Sequence, residues 1–203
     1  MIDWLHVNGL EAAGLIASLV YLFYSIREKV WLWPWGILAS VLSLGVFYTS
    51  RLYADMSLQV YYLSISVYGW WYWRRGVVND VDSAGEVSIK KVQFLLLIKL
   101  LVVGALLYGS ILYALLFIPA LLDIASSDMP FLDALTTSAS IVATWMLARK
   151  YIDHWLFWIA IDLLSMFMYL YKGLYFYSAL FLIYAIGAVV GYLEWQKILK
   201  KHE

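Results

Sequence analysis

The sequence predicts an all-α integral membrane protein with seven transmembrane helices, arranged as two parallel three-helix repeats joined by a connector helix (3+1+3). Three observations predict it. The first is composition: 65% of the 203 residues are hydrophobic and 18% aromatic, with a mean hydropathy of +0.80, more apolar surface than a soluble core of this length can bury. The second is a series of seven apolar runs, near 10–26, 34–50, 53–73, 94–117, 131–148, 155–171 and 174–195. Each is close to the roughly 20 helical residues that about 30 Å of hydrocarbon requires. The third is a duplication. Moved by 122 positions without a gap, Trp33 falls on Trp155, Ile37 on Ile159, Ser43 on Ser165, Tyr53 on Tyr175, Tyr62 on Tyr184, Gly69 on Gly191 and Trp73 on Trp195.

The elements follow in order. MIDWLHVNGLEAAG has no basic leader and no small-residue cleavage pattern, so the first span is expected to be retained. Spans one to three make repeat one, 10–73. The polar connection from Arg74 to Lys91 leads into a fourth span, 94–117, which has no partner in the register and serves as connector. Spans five to seven make repeat two, 131–195, and the whole chain, 1–203, is read as one transmembrane domain. Lys and Arg sort by side: Arg51 and Lys172 fall on one face. The other face carries Arg27, Lys29, Arg74, Arg75, Lys90, Lys91, Arg149, Lys150, Lys197, Lys200 and Lys201. The positive-inside rule places that second face in the cytoplasm, with the N-terminus outside and the C-terminus inside. Lys99, near the inner end of the fourth span, is expected to snorkel to the headgroups. One extra span between the triplets makes the repeats parallel, with a pseudo-twofold axis along the membrane normal. This is the plan of SWEET-type sugar carriers, and weak internal symmetry of this kind marks transporters.

Helical spacing then selects inner faces. In the third span Asp55, Gln59, Tyr62, Ser66, Gly69 and Trp73 recur at intervals of four, three, four, three and four, one polar and aromatic stripe. The register repeats it in span seven as Tyr177, Phe181, Tyr184, Ala188, Gly191 and Trp195. Span two offers Trp33, Gly36, Ser40, Ser43 and Phe47, matched in span six by Trp155, Trp158, Asp162, Ser165 and Tyr169. Lipid has no partners for amides and carboxylates, so such stripes turn toward other helices or a wet cavity. Span five adds Thr136, Thr137, Ser140 and Thr144, whose hydroxyls serve either a solute or their own backbone and neighbouring helices. The halves differ where Gly36, Ser40 and Gln59 face Trp158, Asp162 and Phe181, which suits an asymmetric solute.

The segments WPWGILASVLSLGVFYTSRLYADMSLQVYYLSISVYGWWYWRRG, DALTTSASIVATWMLARK and HWLFWIAIDLLSMFMYLYKGLYFYSALFLIYAIGAVVGYLEW resemble the PnuC family of bacterial vitamin transporters over nearly the whole chain. The pair Trp155 and Trp158 is similar to the WxxW element of that family's nicotinamide riboside branch. The resemblance implies uptake of nicotinamide riboside across the bacterial cytoplasmic (inner) membrane by facilitated diffusion, with trapping by a separate cytoplasmic kinase. It leaves thiamine, riboflavin or a nucleoside as alternative solutes within the family. Such a solute joins a flat cationic ring and a carboxamide to a ribose. It calls for aromatic faces, an amide or hydroxyl, and sugar donors. The candidate binding residues are therefore Gln59, Tyr62, Trp35, Ser43, Trp155, Trp158, Asp162, Thr137, Ser140 and Tyr184.

Other readings are kept beside these. Trp31, Trp70, Trp71, Trp73 and Trp195 stand near span ends and are expected in interfacial belts. Asp162, about seven residues from the inner end of its span and roughly 10 Å deep, attracts a cationic ring or bonds a neighbouring helix. Asp55 and Lys172 lie near outer ends. His154 is expected to be wet at the inner boundary. No cysteine is present, which excludes disulfides and thiolate chemistry. No Gly-rich phosphate loop, metal-ligand spacing or paired carboxylate occurs, so no cofactor, metal or catalytic residue is expected and a membrane enzyme is disfavoured. A structural or accessory membrane subunit stays as a third class. The formal net charge of zero gives no argument for nucleic acid. The lipid bilayer and a small vitamin are the expected partners, and homo-oligomerisation stays open.

Overall fold

The computed structural model describes residues 2–49, 53–75, 88–123 and 126–202. Among them are seven helices: α1 (Ile2–Ile26), α2 (Leu32–Thr49), α3 (Tyr53–Arg75), α4 (Phe94–Leu122), α5 (Pro130–Ala148), α6 (His154–Tyr171) and α7 (Tyr175–His202). Pro130 opens α5, where its missing N–H costs nothing and its fixed φ is already helical. Ser127 contacts the Asp133 carboxylate at the same end and its Oγ accepts from the Met129 N–H at 3.1 Å. At its far end α4 stops on Asp123, which turns left-handed at φ 51° and donates its N–H to the Pro119 carbonyl, a local closure of the free helix-end carbonyls. Gly173 at φ 72° makes the turn from α6 to α7.

The helix ends carry the duplication. α1 and α5 end at 26 and 148, α2 and α6 run from 32 to 49 and from 154 to 171, and α3 and α7 begin at 53 and 175, each pair 122 apart. Just after α1 and α5, Glu28 and Lys150 both turn left-handed at φ 55°. Matched local sequence has produced matched helix punctuation.

Among the described residues, four helices are long and apolar enough to cross a bilayer: Phe94–Leu121, Pro130–Ala148, His154–Tyr171 and Tyr175–Lys201. The apolar stretches Ala12–Ile26 and Leu32–Gly45 are shorter. α3 is the most polar of the set because it ends in Arg74 and Arg75 and carries Asp55 and Gln59.

Packing divides the chain into two units, Met1–Lys90 with Leu147–Lys150 and Val190–Glu203, and Lys91–Met146 with Tyr151–Val189. In the first, α1 packs on α2 and α2 on α3. Trp33, Tyr72, Trp73 and Trp195 are buried to 8% exposure or less. Gly69 makes this possible, since a Cβ there would overlap the Trp33 indole. Trp33 meets Trp73 edge-on with centroids 5.5 Å apart, a favoured arrangement of ring quadrupoles. Trp73 and Trp195 therefore do not belong to an interfacial belt: both lie inside, whereas Trp31 is 61% and Trp71 49% exposed.

In the second unit the core is Leu100, Val142 and Met146, with Leu96, Leu107, Trp145 and Phe157 packed around it. α4 is peripheral. Only 6% of its apolar window is buried, against 50% for α5, and Lys99 lies on its exposed side.

Candidate functional site

The inner stripes read from the spacing are the shielded faces of their helices, except at Tyr177, which begins the α7 stripe and is 45% exposed. On α3, Ser66, Gly69 and Trp73 are buried and Gln59 and Tyr62 half-buried, while Val60, Ser64, Val67 and Trp71 form the exposed face. On α6, Trp155, Asp162 and Ser165 are buried and Trp158 and Tyr169 half-buried, against exposed Leu156, Leu163, Phe167 and Leu170. α7 buries Ala188, Gly191 and Trp195 and half-buries Phe181 and Tyr184. The side chains of Asp55 and Phe47 lie outside the described residues.

In the first unit the stripe residues meet around a notch. Gly36 has no side chain, and where its Cβ would stand the Ser66 hydroxyl is 3.0 Å and the Tyr21 ring 3.1 Å away. Tyr21 from α1 thereby reaches the place on α2 that Ser66 of α3 also approaches. The rings of Tyr61 and Tyr62 lie 5.7 Å apart. Gln59 stands one turn from Tyr62, and Trp35 and Ser43 are half-buried on α2. Among the described residues the Gln59 amide makes no hydrogen bond.

Sequence reasoning missed Tyr21, though the register holds the signal. Tyr21, Gly36 and Ser66 correspond to Ala143, Trp158 and Ala188. In one repeat the first helix supplies the large ring and the second a gap; in the other the sizes are exchanged.

In the second unit Asp162 is 4% exposed, eight residues into α6, at roughly 12 Å along the axis. Its carboxylate makes no hydrogen bond or ion pair among the described residues. Ser165, one turn on, is also buried. Beyond it Tyr169 stacks on Phe181 at 5.2 Å and on Tyr177 at 5.5 Å, and Phe181 meets Tyr184 edge-on at 5.8 Å. The Ser178 hydroxyl donates to the Met166 carbonyl at 3.1 Å and fixes α7 against α6. On α5, Thr144 donates to the Ser140 carbonyl at 2.7 Å and Thr136 to the Leu132 carbonyl at 3.0 Å, so both serve their own helix. Thr137 and the buried Ser140 make no such bond with their hydroxyls among the described residues.

His154 corrects the sequence reading. It is fully buried, its Nδ1 is 2.7 Å from the Tyr151 carbonyl, and its ring lies 4.5 Å from that of Trp155. The tight turn between α5 and α6 folds it inward. Lys172 lies at an exposed end beside Asp128 at 3.5 Å. Among the described residues no group of three or more His, Asp or Glu side chains is placed to hold a metal ion.

Seven helices with duplicated end points and broad apolar faces define a multi-pass membrane protein. The comparisons with known proteins agree. The family model described as "Nicotinamide mononucleotide transporter" matches residues 8–197, and the chain belongs to that family, the PnuC family of vitamin transporters. It is 27% identical to the nicotinamide riboside transporter PnuC of Escherichia coli (strain K12), over 93% of this chain and 85% of that one. It is likewise 27% identical to the riboflavin/roseoflavin transporter RibM of Streptomyces davaonensis, over 94% of this chain and 85% of the relative. A solved structure described as "Crystal structure of the Vitamin B3 transporter PnuC" shares the fold at a TM-score of 0.69 and 22% identity, covering 97% of this chain and 84% of the other.

Proposed function

We propose that this protein carries nicotinamide riboside across the bacterial cytoplasmic membrane by facilitated diffusion and performs no catalysis. The observation that carries the reading is the state of Gln59 and Asp162. Both lie on inward stripes, and neither has its polar atoms engaged by the described chain. Leaving such groups unpaired at bilayer depth is costly, and a solute that presents a carboxamide, a ribose and a ring cation offsets that cost. Gln59 donates and accepts in one group, which matches a carboxamide. Asp162 balances the positive charge of the pyridinium. Aromatic faces at Trp35, Tyr62, Trp158 and Tyr184, with Tyr21 added, supply stacking and about 0.5–2 kcal/mol of cation–π attraction. Ser43, Trp155, Thr137 and Ser140 are the remaining proposed contacts.

The relative named for riboflavin supports a second reading, since a flavin ring also needs aromatic walls. Asp162 favours the cationic solute over a neutral flavin. A mononucleotide is disfavoured because its phosphate would meet that carboxylate. The shielded cations Lys150 and Arg149 are engaged with Glu28, Trp73, Tyr68 and Tyr72. Net uptake then needs removal of the solute inside, by a separate kinase. The charge asymmetry supports a cytoplasmic C-terminus as part of this reading.

Uptake by proteoliposomes tests the reading, with nicotinamide riboside, thiamine and riboflavin supplied in parallel, with and without ion gradients. Preferred entry of nicotinamide riboside without a gradient is expected. Preference for either other vitamin, or dependence on a gradient, contradicts it.

A further inference from the structure

One cluster in the first unit has no part in the solute site. The Lys150 ammonium lies 2.6 Å from the Glu28 carboxylate, with side chains only 4% and 16% exposed, and 4.4 Å from the centre of the Trp73 ring. The rings of Trp73 and Trp195 lie 6.3 Å apart. Trp73 donates its indole N–H to the Ala148 carbonyl at 3.1 Å, and Trp195 donates to the Ser25 carbonyl at 3.0 Å.

Glu28 and Lys150 are register partners, and so are Trp73 and Trp195. In an arrangement with twofold symmetry, a residue meets its own equivalent only near the axis. Two such meetings in one cluster are what a pseudo-twofold axis passing through it would produce. The indole bonds are reciprocal: the last helix of each repeat is tied to the end of the first helix of the other. A strict duplication would have placed like charges face to face at 28 and 150. Glu at one position and Lys at the other make the contact attractive. A buried ion pair adds little net stability over an apolar pair of similar size, but it parts readily into water, as a reversible contact must.

We propose that Glu28, Lys150, Trp73 and Trp195 form a latch across the axis that closes the lysine-rich end of the protein and must part for solute to pass. The latch goes beyond the solute reading, on which only the transport arm of its test depends. The chain has no cysteine, so a single thiol placed by Ser25→Cys, at a position 2% exposed, reports opening without background. In that parent, Lys150→Gln is expected to raise the rate of labelling by a water-soluble maleimide tenfold or more. Combining Glu28→Lys with Lys150→Glu should return the rate to within about threefold of the parent. If Lys150→Gln is recovered unfolded, Glu28→Gln, which removes the less buried partner, is read in the same way. Labelling unchanged by loss of the pair, or unprotected in the exchanged pair, overturns the latch. In the transport arm a reducible bis-thiosulfonate cross-link between Glu28→Cys and Lys150→Cys should stop flux, and reduction should restore it; full flux through the linked protein overturns the latch. Absence of nicotinamide riboside flux in the parent, with labelling as expected, would strike the solute reading alone.

Discussion

Trp73 and Trp195 hold the same place in the two repeats, and their rings lie 6.3 Å apart at an interplanar angle of 51°. They hold the end of the protein where the repeats' termini converge. Each fills core volume with its ring and ties a helix end with its N–H. Replacing Trp195 by Ala removes both and should cost about 3–5 kcal/mol. Trp195→Phe keeps most of the ring and should cost less, with about 0.5–1.5 kcal/mol assigned to the lost hydrogen bond. Melting temperatures of the purified protein should fall in that order.

Three glycines make a graded series. A Cβ at Gly69 overlaps the Trp33 indole, one at Gly36 meets Tyr21 and Ser66 at 3.1 and 3.0 Å, and one at Gly45 meets nothing within 4 Å. Gly69→Ala should lower the yield of folded protein most sharply and Gly36→Ala moderately. Gly45→Ala should be neutral or stabilising by up to about 1 kcal/mol through helix propensity. Monodisperse yield and melting temperature check the order.

Most of the architecture was legible because a bilayer leaves a chain few choices. Apolar runs had to become helices, and polar side chains had to turn inward at helical spacing, so the faces carrying Gln59, Tyr62, Trp158 and Asp162 followed from the pattern alone. Tyr21 was hidden because it belongs to no polar stripe at helical spacing in the first span. Its place depends on the space left by Gly36. His154 and Trp73 were misread for a related reason: proximity to a span end suggests water or headgroups, and only the turns and the Gly69 notch decide that they fold inside. The contact of Glu28 with Lys150 was out of reach because the spacing gives equivalent positions without saying which of them approach the axis.

Asp162 should discriminate solutes by charge. Asp162→Asn keeps the shape and removes the carboxylate, so affinity for cationic nicotinamide riboside should fall tenfold or more, equivalent to about 1.4 kcal/mol. Affinity for neutral riboflavin should change by less than about threefold. Equal losses for both would give Asp162 a structural role. Titration calorimetry on the purified variants distinguishes the two.

A carrier without energy input cannot concentrate its solute. Labelled nicotinamide riboside inside vesicles should plateau at the external concentration, and an enclosed kinase with ATP should lift total uptake above it. A plateau above the external level without a kinase would require ion coupling.

The most direct measurement is equilibrium binding of labelled nicotinamide riboside to the purified protein and to its Gln59→Ala and Trp158→Ala variants, with melting temperatures recorded beside it. The inward stripes predict that each substitution weakens binding about tenfold, roughly 1.4 kcal/mol, while the melting temperature stays near that of the parent. Unchanged affinity in both variants would show that the solute does not touch these faces.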